Sequence, residues 1–140
     1  QKNHMANRFL NWARSWKLIR LLPKELSLRN MIKDLNSGYF IGLASDQNAK
    51  DSGENVNIFD KTVSFPLGAE KLKQKTRKKI FFVICTLDKN FHYKVKVEEI
   101  LSDNISTNQL FANKLQHYIT KYPSQYFWFH RIFNKEIYKI

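Results

Sequence analysis

The sequence predicts an α/β domain, and three observations carry that prediction. Helical and strand-like segments follow one another in the order helix, strand, helix, strand, helix, strand, strand, helix. Apolar residues recur at three- and four-residue intervals in the first kind of segment and alternate or run continuously in the second. The hydrophobic fraction is 43%, with three Pro and four Gly, which describes a globular chain and excludes a disordered one. At 140 residues the chain is one domain or a piece of one, long enough to bury a core.

Residues 3–16 place Met5, Phe9, Ala13 and Trp16 on one helical face, with Arg8, Asn11 and Arg14 on the wetter sides. The apolar stretch 18–22 ends at Pro23 and suits a strand. Residues 27–36 read as a helix with Ser27 as N-cap, a stripe of Leu28, Met31, Ile32 and Leu35, and Gly38 past its end. The continuous apolar run 39–44 is expected to be a buried central strand, followed by a polar loop over 45–57. A short lysine-rich helix over 67–76 follows Pro66. Residues 79–87 and 92–100 read as two strands joined by a turn, with alternation at Tyr93, Val95 and Val97. A helix from about Ser106 to Tyr122 carries Phe111, Leu115, Tyr118 and Tyr122 on one face, and Pro123 breaks it.

Lys and Arg number 24 against 12 Asp and Glu, a formal net charge of +12. Such a surplus concerns partners more than fold: it favours phosphates, on nucleic acid or on anionic lipid. Its densest patch is Lys71, Lys73, Lys75, Arg77, Lys78 and Lys79, where a solvated helix end competes with a membrane-facing surface. Cys85 lies in an apolar run without a disulfide partner or metal-ligand spacing and is expected to be a buried small hydrophobe. No stretch approaches the length of a membrane span. The chain opens without an initiator Met, which is the expectation for a trimmed or N-terminally incomplete protein.

No catalytic centre stands out. None of His4, His92, His117 or His130 has a carboxylate five residues on, and neither a Gly-rich phosphate loop nor a nucleophile elbow is present. Asp46 and Gln47 are the best local candidates, placed after an apolar strand where α/β folds expose ligand-facing loops; a polar turn is the plainer alternative. Arg14 and Arg20 could act as fixed positive groups for a phosphate or oxyanion. The segment Tyr122-Pro-Ser-Gln-Tyr-Phe-Trp-Phe-His-Arg131 holds five aromatic residues besides His among its ten, so it is core or an apolar interface. His130 and Arg131 read as a satisfied core His and an Arg packed on an aromatic ring.

Taken together, these segments resemble the lipid A biosynthesis lauroyl and myristoyl acyltransferases. The closing segment is similar to that family's ending P-E-Q-W-x-W-x-H-R-R. Gly42-Leu-Ala-Ser-Asp-Gln47 resembles its glycine–small–Asp-Gln stretch, and Phe59-Asp-Lys-Thr-Val-Ser-Phe-Pro-Leu-Gly-Ala-Glu70 resembles the segment that follows. Asn11-Trp-Ala-Arg-Ser15 resembles the helix that carries an arginine, which maps onto Arg14. Two positions depart from the pattern: Ile132 replaces the ending's second Arg, and Ser124 replaces its Glu.

The resemblance implies a partial glycerolipid-acyltransferase-like fold, a mixed sheet flanked by helices, with residues 1–140 the C-terminal part of one domain. The family's His-x4-acid motif and membrane anchor are expected upstream, so the chain by itself is expected to be inactive. The implied reaction moves a fatty acyl group from acyl carrier protein to a hydroxyl of a lipid A precursor. It needs no metal and no cofactor beyond the acyl-carrier donor, and takes place at the cytoplasmic face of the bacterial inner membrane. Arg14 would supply charge at the catalytic site, Asp46 and Gln47 would shape substrate binding, and His130 and Arg131 would brace the fold. Expected partners are acyl carrier protein, the lipid A precursor and an anionic membrane surface. The competing reading is a basic nucleic-acid-binding module without enzymatic activity, working through the lysine cluster and exposed aromatics.

Overall fold

A computed structural model describes residues 3–15, 19–22, 28–101 and 104–133. Its helices are α1 (His4–Arg14), α2 (Leu28–Asn36), α3 (Gly68–Thr76) and α4 (Thr107–Lys121). Its strands are β1 (Glu54–Ile58), β2 (Lys61–Phe65), β3 (Phe81–Leu87) and β4 (Tyr93–Glu99). The chain is a partial α/β fold, and the described strands pair as two antiparallel ribbons, β1 with β2 and β3 with β4.

Helix α4 is the spine of the molecule. Ser106 caps it, its hydroxyl accepting from the Gln109 N–H at 3.1 Å. Ala112, Leu115, Tyr118 and Ile119 are buried on its inner side, against Val56, Ile58, Val63 and Phe65 of the first ribbon and Phe82 of the second. A chain of rings joins the two ribbons through α4. Phe65 meets Phe111 edge-on at 5.7 Å, Phe111 lies 5.5 Å from Phe82, and Phe82 stacks on Tyr118 at 5.6 Å.

Three glutamine side chains fasten helix to strand by imitating a backbone partner, since a primary amide carries both donor and acceptor. Gln109 accepts from the Asn57 N–H and donates to the Asn57 carbonyl, both at 2.9 Å. Gln116 accepts from the Phe59 N–H at 2.6 Å. Gln125, just past α4, accepts from the Leu87 N–H at 2.7 Å and donates to its carbonyl at 2.8 Å. On the inner face of β4, Glu98 accepts from both the Lys114 ammonium and the Tyr118 hydroxyl. Those contacts hold its carboxyl below the usual range.

Several expectations need correcting. Residues 39–44 form no strand: they have no ladder partners among the described residues, and Phe40 is 94% exposed. An apolar run becomes a strand only beside a neighbour that offers its ladder, and β3 pairs on one side only, with β4. Residues 19–22 likewise carry no strand, while Leu18, Trp16 and the expected cap Ser27 lie outside the described residues. The loop expected over 45–57 instead holds a short 3-10 turn, Lys50–Ser52, and all of β1 but its last residue, Ile58. Cys85 is exposed, not buried, because it shares the outer face of the ribbon with Val83, Val95 and Val97.

Candidate functional site

The sequence-predicted residues lie on the elements that pack least. Helix α1 forms because Asn3 caps it, accepting from the Ala6 N–H at 3.1 Å, and ends where the Ser15 hydroxyl bonds back to the Asn11 carbonyl. None of its residues is buried, and Met5, Phe9 and Trp12 stand exposed as an apolar stripe. Arg14 occupies the last turn with its side chain exposed. Arg20, the other arginine candidate, is committed elsewhere: it pairs with Asp34 of α2 and lies over the Tyr39 ring at 5.8 Å. Asp34 therefore holds the Arg20 guanidinium in its charged form even more firmly than usual.

Asp46 is half-buried and Gln47 exposed, in the loop that follows the apolar run 39–44. The C-terminal side of that loop is firmly anchored. The Asn48 amide donates to the Ile132 carbonyl at 2.9 Å, and its oxygen accepts from the Lys50 N–H at 2.8 Å. The Ala49 N–H bonds to the Ser64 carbonyl at 2.8 Å, and the Ser64 hydroxyl donates to the Lys50 carbonyl. Gly53 closes the anchor: a Cβ there would stand 2.3 Å from the Ser64 hydroxyl and 2.6 Å from the Phe65 carbonyl. Among the described residues no hydrogen bond or ion pair joins Arg14 to Asp46 or Gln47.

An apolar cavity of about 660 Å³ opens beside this loop. Its walls are the run from Tyr39 to Leu43, Phe81 and Val83 of β3, Leu72 of α3 and Phe111 of α4. Lys73, Lys78 and Lys79 also line it. The volume lies within the roughly 300–1,000 Å³ usual for a site that encloses a small ligand. A smaller, more polar hollow of about 520 Å³ lies between α3 and the start of α4. There Thr107 lies beside the Glu70 carboxylate and the Gln74 amide donates to it at 3.0 Å, and the two hold its pKa below the ordinary value. That carboxylate already serves the start of α4 as an anion would.

The described histidines offer no oriented acid–base pair at this cavity. His92 stands 4.0 Å from Asp88 on an exposed turn, and His130 has a sealed Nε2 without a hydrogen-bond partner. Among the described residues no group of three or more His, Cys, Asp or Glu is placed to hold a metal, and no helix is long and apolar enough to cross a membrane.

Over residues 1–135 the sequence matches the bacterial lipid A biosynthesis acyltransferases. The chain belongs to that family. No curated protein matches it. As an acyltransferase-family domain, its sequence motifs acquire structural meaning. The Asp46–Gln47 loop and the closing His-Arg segment, distant in sequence, are tied together by the Asn48–Ile132 hydrogen bond.

The closing segment is less buried than its composition suggests. Phe129 is 89% exposed and Trp128 46%, while Tyr126 packs partly against the core. The buried residue is Ile132, just past it, at 1%, the position that the resemblance pairs with an arginine. An arginine sealed there would need a paired charge, and isoleucine does not. Trp128 is held by its indole N–H, which donates to the Pro123 carbonyl at 2.7 Å, and by the edge of Tyr126 at 5.1 Å. Trp128→Ala is therefore expected to cost about 1–2 kcal/mol, a hydrogen bond plus part of a ring. A loss of about 3 kcal/mol or more in chemical denaturation would show the ring to be core after all.

Proposed function

We propose that this acyltransferase-family protein moves a fatty acyl chain from acyl carrier protein to a hydroxyl of a phosphorylated glucosamine lipid, a lipid A precursor, at the cytoplasmic face of the bacterial inner membrane. The observation that carries the proposal is the apolar cavity with lysines in its lining, inside a domain of this family. A long hydrocarbon next to an anionic group is the ligand such a lining suits, since apolar walls take the chain and ammonium groups the phosphate.

Arg14 supplies positive charge where the carbonyl oxygen becomes an oxyanion, and Asp46 with Gln47 shapes the acceptor's binding. The proton on the acceptor hydroxyl is taken by a His base of the upstream motif. Residues 1–140 are then the C-terminal part of the acyltransferase domain and inactive alone. Two structural features support this: no described histidine has an oriented acid beside the cavity, and the outer face of β3–β4 is apolar and open. The surplus of positive charge suits both the anionic membrane surface and the acidic carrier protein. No observation gives the nucleic-acid reading comparable support.

The direct test supplies the intact protein with acyl carrier protein loaded with a fatty acid and with the phosphorylated glucosamine lipid. Mass spectrometry is expected to show the lipid gaining one acyl chain, and residues 1–140 alone are expected to give no product. An intact protein that leaves the lipid unchanged removes the acyl-transfer reading; product from residues 1–140 alone removes the fragment reading.

A further inference from the structure

We infer that the exposed lysine face of α3 is the docking surface for an acidic carrier protein, which presents its acyl chain to the cavity that α3 walls. The inference rests on the acyl-transfer reading and assigns its donor a place on the molecule.

Lys71 and Lys75 lie four residues apart on α3 and so point the same way, and Lys78 follows just past the helix end. All three are exposed and form no ion pair among the described residues, whereas Lys79 is engaged with Glu99 at 3.0 Å. The acidic residue of α3, Glu70, is turned toward Gln74 and Thr107 and does not neutralise the stripe. Lysines in the last turn of a helix are stabilised by its dipole, which accounts for Lys73 and Lys75. The dipole does not account for Lys71, nor for the run of cations after the helix ends.

The other side of the same helix supplies Leu72 to the apolar cavity, and Lys78 lines that cavity as well. A partner seated on the stripe is thus at the cavity's edge, where a chain tethered to it can enter. A bilayer fits this face less well than an acidic protein does. A helix lying on a membrane binds by burying an apolar face beside its cations, and α3 has its leucine turned inward, with no large apolar side chain exposed. The cations alone match a surface rich in carboxylates.

The test is the charge-reversed pair Lys71→Glu and Lys75→Glu in the intact protein; neither residue lines the cavity. With acyl carrier protein as donor, KM is expected to rise about 10-fold with kcat little changed. With a small acyl thioester such as acyl-CoA, KM should stay as in the wild type. An unchanged KM for the carrier-protein donor overturns the inference, and so does an equal rise for both donors, which points to damage in the cavity. Fluorescence anisotropy with labelled acyl carrier protein separates docking from catalysis. If the wild type transfers to no lipid yet binds the carrier protein, and the double variant binds it about 10-fold more weakly, the docking surface stands and the acyl-transfer reading falls. Loss of binding to phosphatidylglycerol vesicles with carrier-protein binding intact assigns the face to lipid and overturns the inference.

Discussion

Arg14→Ala in the intact protein is expected to lower kcat for the proposed acyl transfer by about 10²–10³-fold, the usual consequence of removing a group with the oxyanion-stabilising role proposed for Arg14. The melting temperature should barely move. Arg14 is exposed in the last turn of α1, touches no described carboxylate, and helps the helix only through its favourable position at the dipole's negative end. That contribution is about 0.3–1 kcal/mol at an exposed site. The cap that starts the helix, Asn3, is untouched by the change. Arg14→Lys keeps the charge and loses the planar fork, so partial recovery of kcat would indicate electrostatic action and no recovery would indicate bidentate geometry. Near-normal turnover by Arg14→Ala would remove Arg14 from the site, whatever the family pattern implies. Arg20→Ala is the matched control, because Arg20 already spends its charge on Asp34.

The helices were legible because their signals are local. Helix α4 begins at Ser106 as expected, and Gly38, with φ of +87°, follows α2 where a left-handed residue is needed. The β3–β4 ribbon was legible too, since Tyr93, Val95 and Val97 alternate with Lys94 and Lys96. Which face would be covered was not, for β3 is apolar on both faces and gives no inside-outside contrast; Cys85 was misplaced for that reason.

Hairpin β1–β2 was hidden by its composition. In Glu54-Asn-Val-Asn-Ile58 only the alternation of Val56 and Ile58 betrays a strand, and the asparagines made it read as loop. Its two-residue turn, Phe59-Asp60, has both residues at positive φ, 51° and 56°, without the glycine that normally announces such a turn. Phe59 is held there by long-range contacts, the Gln116 side chain on its N–H and its ring against the core, which no local pattern reveals. Run 39–44 failed in the opposite sense, since its apolar residues announce a strand while pairing depends on a neighbour.

The site was legible by motif and not by geometry. Asp46 and Gln47 could be chosen from their place after an apolar run. The grip of Asn48 on Ile132 joins positions 84 residues apart and has no signature in either stretch. The cavity likewise exists only once α3, β3 and the run 39–43 come together.

Stability should be most sensitive where the two ribbons are joined. Phe65→Ala is expected to cost about 3–5 kcal/mol, the range for removing a buried aromatic ring. Phe65 is fully buried at the end of β2 and is the first ring of the series that continues through Phe111 and Phe82 to Tyr118. Its removal leaves a void between β2 and α4 that neither side can close. Strand β2 is fixed by its register with β1, Phe65 opposite Glu54, and α4 is fixed by Gln109 and Gln116 on the β1–β2 backbone.

Phe65→Leu refills most of that void and should recover at least half of the loss. Equilibrium denaturation reads both variants, and an unchanged m-value would confirm that the native state keeps its compactness. The double change Phe65→Ala with Phe82→Ala should cost less than the sum of the single changes, because both rings pack on Phe111 and the first deletion already loosens it. Strict additivity would show that the ribbons are stabilised independently and that α4 does not couple them.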